Sequence, residues 1–171
     1  MLALVALGSN LGDSAQMLGD AMARLQDYAD EPVIRSSLWQ TAPVDCPPGS
    51  PPFLNAVLGL VPRPAETPES LLEKLRALEI AFGRQPKKIT NEPRPLDLDL
   101  IAFGSMTRHT PILTLPHPRA HRRRFVLAPL SEIAPELILP GQSESVAALL
   151  AQLPDPASSV SRITARAENR P

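Results

Sequence analysis

Apolar and polar positions fall into a few recurring patterns along the chain, and each pattern predicts an element. Leu2 to Leu7 is almost wholly apolar and stops at Gly8-Ser9-Asn10, which reads as a buried strand ending in a tight turn. From Ser14 onward, Leu18, Ala21, Met22, Leu25 and Ala29 recur at three- and four-residue spacing. That periodicity predicts a helix over 14–28, capped by Asp13 or Ser14, with one face on a sheet. Val33 to Gln40 resumes an extended pattern after Pro32, and Phe53 to Val61 forms the next strand before Pro62 and Pro64 end it. Thr67-Pro68-Glu69 has the form of a helix start, with Leu71, Leu75, Leu78 and Phe82 as its buried stripe and Gly83 as its stop. Leu96 to Phe103 alternates Leu-Asp-Leu-Asp-Leu and then turns wholly apolar, a strand whose first half has one wet face.

The resulting order is strand, helix, strand, strand, helix, strand. It predicts an α+β domain of the ferredoxin-like βαββαβ kind, an antiparallel sheet with two helices on one face. C-terminal additions follow: a small strand from Ile112 to Leu115, a basic cluster from Arg119 to Arg124, an apolar run from Phe125 to Leu130, and a helix over 145–153. Residues 1–153 are expected to form one domain. Beyond Pro154 no apolar periodicity continues, so 154–171 is expected to be a mobile tail.

Composition adds three constraints. Proline accounts for 21 of 171 residues, five of them between Thr41 and Pro52, so the connections are stiff and that stretch holds no regular element. Basic and acidic residues nearly balance, 17 against 18, which argues against general nucleic-acid coating and makes any charge chemistry local. Cys46 is the only cysteine and no membrane-length apolar run occurs, so a reducing cytoplasm is the expected setting, with no membrane partner and no evident obligate protein partner.

Asp97 and Asp99 are the most informative pair. Two apart on a strand, they share one face, while Leu96, Leu98 and Leu100 occupy the other. Close carboxylates repel unless a cation lies between them, and hard oxygen ligands at this spacing suit Mg²⁺, which keeps waters and nucleotide oxygens as further ligands. An ordinary half-exposed strand face is the alternative. Arg84, Lys87, Lys88 and Arg94 lead into this strand, and His117, Arg119, His121 and Arg122 to Arg124 follow it, cations of the kind a polyphosphate needs. Phe53 and Asn55 also share a face, offering a flat apolar surface and an amide to a planar heterocycle; a core Phe beside a turn-capping Asn is the alternative. Gly8-Ser9-Asn10-Leu11-Gly12 lacks the residues of a P-loop or a dinucleotide fingerprint. A single-stranded RNA platform would need exposed aromatics, and these are only 4% of the chain, without the RNP pattern.

Five stretches together resemble a known family. They are Ala6-Leu7-Gly8-Ser9-Asn10-Leu11-Gly12, Ser36-Ser37-Leu38-Trp39-Gln40-Thr41-Ala42-Pro43, Phe53-Leu54-Asn55-Ala56, Pro93-Arg94-Pro95-Leu96-Asp97-Leu98-Asp99-Leu100 and Leu115-Pro116-His117-Pro118. In register from about residue 2 to 153, the chain resembles the 6-hydroxymethyl-7,8-dihydropterin pyrophosphokinases of folate biosynthesis. The resemblance implies the ferredoxin-like fold and transfer of pyrophosphate from ATP to the pterin's hydroxymethyl oxygen, releasing AMP. A pterin- or nucleotide-binding relative without turnover is the alternative. By the same resemblance Asp97 and Asp99 hold two Mg²⁺ ions, Arg84 and Arg94 lie by the polyphosphate as catalytic residues, His117 and Arg123 contact ATP, and Thr114 lies near the adenine. Asn55 reads the pterin, Thr41, Pro43 and Val44 give it backbone contacts, and Phe53 and Phe125 stack on it. Glu79 matches a helical carboxylate near the adenine-side wall, with a plain surface position as the alternative. The chain departs from the family pattern at Pro86, Thr90, Asn91 and Glu92, where further arginines and a Trp-Gly are common, and at Ile112, where an arginine is often found.

Overall fold

In the computed structural model, which describes residues 1–43, 48–85, 92–154 and 160–163, the order of elements follows the chain's apolar patterns. Strand β1 (Ala3–Ser9) leads to helix α1 (Ser14–Leu25), which Asp13 caps by accepting from the Gln16 amide, and a 3-10 turn extends it to Tyr28. The extended stretch after Pro32 is two strands, β2 (Ile34–Arg35) and β3 (Trp39–Thr41), both paired to β4 (Phe53–Leu60). Ser36 separates them. Its hydroxyl accepts from the Val57 amide at 2.9 Å, taking a ladder position that backbone would otherwise fill. Helix α2 (Pro68–Ala81) starts with Thr67 and Ser70 capping each other reciprocally and Pro68 in the first turn, as expected.

Strand β5 (Asp97–Phe103) completes the core sheet, and β6 (Arg108–His109) with β7 (Thr114–Leu115) forms a small separate ribbon. The main sheet runs β5-β1-β4-β3 and is antiparallel throughout, the ferredoxin-like order. Side-chain alternation divides its two faces. Ala3, Val5, Leu7, Leu58, Leu98 and Leu100 pack under α1 and α2 with Leu18, Leu25, Leu71 and Leu75. Leu4, Val57 and Ile101 point the other way into a second core.

That second core is roofed by the C-terminal additions. The apolar run after the basic cluster is a helix, α3 (Arg124–Ile133), which accommodates Pro129 within it, and α4 (Val146–Gln152) follows with Ser145 as its cap. Val126, Leu127, Leu130 and Val146 are buried in this second core. The expected tail is corrected at one point: Val160–Arg162 forms β8, paired antiparallel with β3. The segment has no apolar alternation of its own, so the exposed edge of β3 supplies the pairing that local pattern does not. Among the described residues no helix is long and apolar enough to cross a membrane.

Candidate active site

Strand register brings the expected residues together. Gly8 in the middle strand stands opposite Asn55 on β4 and opposite Asp97 on β5. Opposed residues of an antiparallel pair project from the same face, so Asn55, Gly8 and Asp97 form one row across three strands. Ala6 aligns Val57 with Asp99 in the next row. Gly8 has no side chain to fill the space between the amide and the carboxylate, and a Cβ there would meet Asn55 Oδ1 at 3.3 Å and Asp97 Cβ at 3.9 Å. The glycine therefore serves as the floor of a cleft. The sequence reading of this motif as a turn misses that role, because it depends on register with two distant strands.

The carboxylate side of the cleft is an ion-pair network. Arg84 Nη1 donates to Asp97 Oδ1 at 2.9 Å, and Arg94 Nη2 lies 3.1 Å from Asp97 Oδ2. Arg84 also pairs with Glu79, whose Oε1 accepts the Leu98 amide at 2.7 Å. Glu79 is thus buried, and the plain-surface alternative for it is set aside. Burial pushes the Glu79 carboxyl up, against the hydrogen bond from Leu98 and the charge of Arg84, which favour its ionised form. Arg123 Nη1 approaches Asp99 Oδ2 at 3.8 Å, and Asp99 is raised first by desolvation and then by the Asp97 charge. His117 is lowered, chiefly by desolvation, so its ring is neutral near pH 7. The Arg119 amide donates to His117 Nδ1 at 3.2 Å, which puts the ring proton on Nε2.

On the other side of Gly8, Asn55 Nδ2 donates to Thr41 Oγ1 at 2.9 Å, and both residues are buried. Two aromatic rings sit beside the arginines: Arg94 lies over Phe53 at 5.8 Å from the ring centre and Arg123 over Phe125 at 5.3 Å. Asn10 joins the two sides. Its Oδ1 accepts the Arg94 amide at 2.9 Å, its own amide donates to the Arg94 carbonyl at 3.2 Å, and its Nδ2 donates to the Pro51 carbonyl at 3.2 Å. Thr114 stands on β7 opposite His109, in the small ribbon rather than in this row. Pro43 follows β3, while Val44 and Cys46, like Pro86 to Asn91, lie outside the described residues. Ile112 is exposed, and its carbonyl accepts from Arg76 Nη2 at 3.3 Å.

The donor set fits a hard divalent cation. Two carboxylates share a face, desolvation and mutual repulsion weigh on Asp99, and Arg94 Nε is buried without a hydrogen-bond partner, a donor left for an anionic ligand. Among the described residues no three acidic, His or Cys side chains gather as a metal cage. Mg²⁺ bound by one or two carboxylates and completed by phosphate oxygens does not require one.

Comparison with known proteins gives the family. The family model for 7,8-dihydro-6-hydroxymethylpterin-pyrophosphokinase (HPPK) matches residues 4–135. The chain belongs to the HPPK family. It is 38% identical over 151 residues to the 2-amino-4-hydroxy-6-hydroxymethyldihydropteridine pyrophosphokinase of Synechocystis, covering 88% of this chain and 75% of that one. The enzyme of the same name from Methylorubrum extorquens is 38% identical over 161 residues, covering 94% and 98%. Among solved structures, an HPPK-DHPS chain in complex with substrates superposes with a TM-score of 0.69 at 13% identity, covering 88% of this chain. The Plasmodium falciparum HPPK-DHPS with pteroate gives 0.68 at 13%. This HPPK chain spans 42% and 44% of those two chains, and at that identity the likeness speaks for the shared HPPK fold alone.

Proposed function

We propose that the chain catalyses transfer of pyrophosphate from ATP to the hydroxymethyl group of 6-hydroxymethyl-7,8-dihydropterin, releasing AMP, as its family does in folate biosynthesis. The observation that carries this reading is the row Asn55–Gly8–Asp97. Neighbouring strands lie about 4.8 Å apart, so the backbones that carry an amide suited to a planar heterocycle and a carboxylate suited to metal and phosphate stand roughly 10 Å apart, with a bare floor between the two side chains. A heterocycle held at Asn55 extends its exocyclic hydroxymethyl group toward a polyphosphate held at Asp97.

In this reading Asn55 and Thr41 recognise the edge of the pterin, with Pro43 and Val44 supplying backbone contacts and Phe53 and Phe125 the stacking walls. Asp97 and Asp99 would hold two Mg²⁺ ions. When bound, such ions would supply neutralisation of phosphate oxygens and a lowered proton affinity at the attacking hydroxyl. Arg84 and Arg94 exchange their carboxylate partners for phosphate oxygens where charge grows in the transition state, the main source of acceleration for a reaction that forms no covalent enzyme intermediate. Arg123 and the Nε2–H of His117 donate to the nucleotide, and Thr114 lies on its adenine side. Glu79 holds Arg84 in place from behind. Cys46, single and without a disulfide partner, is in keeping with a cytoplasmic setting.

Detection of AMP from ATP, Mg²⁺ and the reduced pterin tests the proposal. Stoichiometric AMP and pterin diphosphate are expected. Binding of both ligands with no AMP would instead identify a relative that has lost turnover, and release of ADP would overturn the assignment of the attacked phosphorus.

A further inference from the structure

The row that carries the site continues past β4. Asn55 stands opposite Trp39 on β3, and Trp39 opposite Arg162 on β8. One line of register thus runs Arg162–Trp39–Asn55–Gly8–Asp97 through five antiparallel strands, from the C-terminal strand to the metal-binding carboxylate. β3 is only three residues long, and without β8 it would be an edge strand held by β4 alone. A ladder that short frays readily.

Two sets of bonds hold β3 from outside. Val160 pairs with Thr41, and the Ile163 amide donates to the Leu38 carbonyl at 2.8 Å. Beside them a closed ring forms: Glu132 Oε2 accepts the Ser37 amide at 2.7 Å, Glu132 Oε1 lies 2.9 Å from Arg162 Nε, and that Nε also donates to Ser37 Oγ at 2.9 Å. Glu132 belongs to α3, the helix that carries Phe125 in its first turn. The ring therefore ties together the approach to β3, the helix bearing one aromatic wall, and the C-terminal strand.

We propose that Arg162 is a positioning residue for the heterocycle pocket. By closing the ring with Glu132 and Ser37 it holds β3 on β4, so that Thr41 keeps its bond to Asn55 and the pocket is set before the substrate arrives. This rests on the reading of Thr41, Asn55 and Phe125 as the pterin side of the site. Arg162 is 58% exposed, so its ion pair adds little to global stability, and its effect falls on pocket order instead.

The test uses the full chain with Arg162→Ala and Arg162→Lys. Steady-state AMP release gives KM for pterin, KM for ATP and kcat, and quenching of Trp39, the only tryptophan, gives the pterin Kd directly. Arg162→Ala is expected to raise pterin KM and Kd about fivefold to tenfold, the cost of ordering one or two interface groups at the moment of binding. ATP KM, kcat and melting temperature should stay within about twofold or two degrees of the parent. Arg162→Lys, which keeps a charged donor for Glu132, should recover most of the pterin affinity. Unchanged pterin constants in Arg162→Ala would overturn the inference, as would a rise in both KM values with a parallel fall in kcat and in the melting temperature. If the unsubstituted chain binds pterin but releases no AMP, the function reading fails while the Kd comparison still decides this one; no pterin binding at all overturns both.

Discussion

Gly8→Ala places one methyl group at the centre of the cleft, and its consequences can be worked out from the geometry. The backbone of Gly8 lies outside the left-handed region, so alanine meets no conformational barrier there. Removing a glycine from a strand interior even favours folding by about 0.5–1 kcal/mol. Against that, the new Cβ would meet Asn55 Oδ1 at 3.3 Å, Asp97 Cβ at 3.9 Å and Phe53 Cδ1 at 4.0 Å, so only the amide has to yield, by a few tenths of an ångström. Global stability should change by less than about 1 kcal/mol. The reaction should suffer far more, because the methyl would occupy the ground that the proposed function leaves between the heterocycle and the polyphosphate. Displacing the attacking oxygen by about 1 Å costs on the order of 100-fold in rate, close to 2.7 kcal/mol at 1.36 kcal/mol per decade. AMP release at saturating ATP, Mg²⁺ and pterin, read beside the melting temperature, measures both effects. Gly59→Ala is the control, since its Cβ would meet only the flexible Leu2 side chain, four residues along β4 from Asn55. Activity of Gly8→Ala within about threefold of the parent, at unchanged melting temperature, would refute the claim that substrate crosses this floor.

Three further outcomes follow from the same geometry. Asp97→Asn keeps the side-chain shape but removes the charge facing Arg84 and Arg94, so AMP release should fall at least about 100-fold at every Mg²⁺ concentration while metal-free pterin binding stays within twofold. Asn10→Ala leaves the Arg94 amide and the Pro51 carbonyl without their partner and should cost about 1–3 kcal/mol in denaturant unfolding, with KM rising for both substrates. Glu66 is raised by burial but lowered more by its hydrogen bonds from Lys74 and Ser70, so its folded pKa lies below the unfolded value. The stability it supplies is present above the ordinary glutamate range and is lost as pH falls through the folded pKa. Glu66→Gln should therefore destabilise by about 1 kcal/mol at pH 7, discounted for the solvent around Lys74, and by nothing measurable once the pH lies below the folded pKa in thermal unfolding.

What could be seen in the sequence and what could not divides along a physical line. The caps at Asp13 and Thr67, the stripes of α1 and α2, and the shared face of Asp97 and Asp99 follow from spacing alone, because local geometry dictates them. The division of Val33 to Gln40 into two strands depends on the Ser36 hydroxyl reaching Val57, a partner 21 residues away. Phe125 to Leu130 is a short all-apolar run, which periodicity cannot assign, and Pro129 weighs against the helix that the second core nonetheless imposes. β8 has no local signal, since its pairing comes from β3. Glu79 lies beside the buried stripe of α2, so its burial follows only once the Leu98 amide and Arg84 are seen to need it.

The charges in the cleft explain why such a site would hold together without its ligands and still open to them. Glu79, Asp97 and Asp99 face Arg84, Arg94 and Arg123, three carboxylates against three guanidinium groups, with Arg119 adding a further positive charge near His117 and Arg123. Each of those three guanidinium groups therefore has a carboxylate partner, which avoids the cost of a desolvated single charge. A triphosphate entering alone would meet carboxylates as well as arginines and gain little. A triphosphate accompanied by divalent cations would meet both kinds of group favourably: in the proposed function Asp97 and Asp99 would hold the cations, which would leave Arg84, Arg94 and Arg123 to the phosphate oxygens. The exchange keeps the number of ion pairs from falling while moving the arginines onto the reacting group. On the proposed function, affinity for the nucleotide and for the metal would then be coupled, each raising the other by the same factor, because neither could complete the exchange alone.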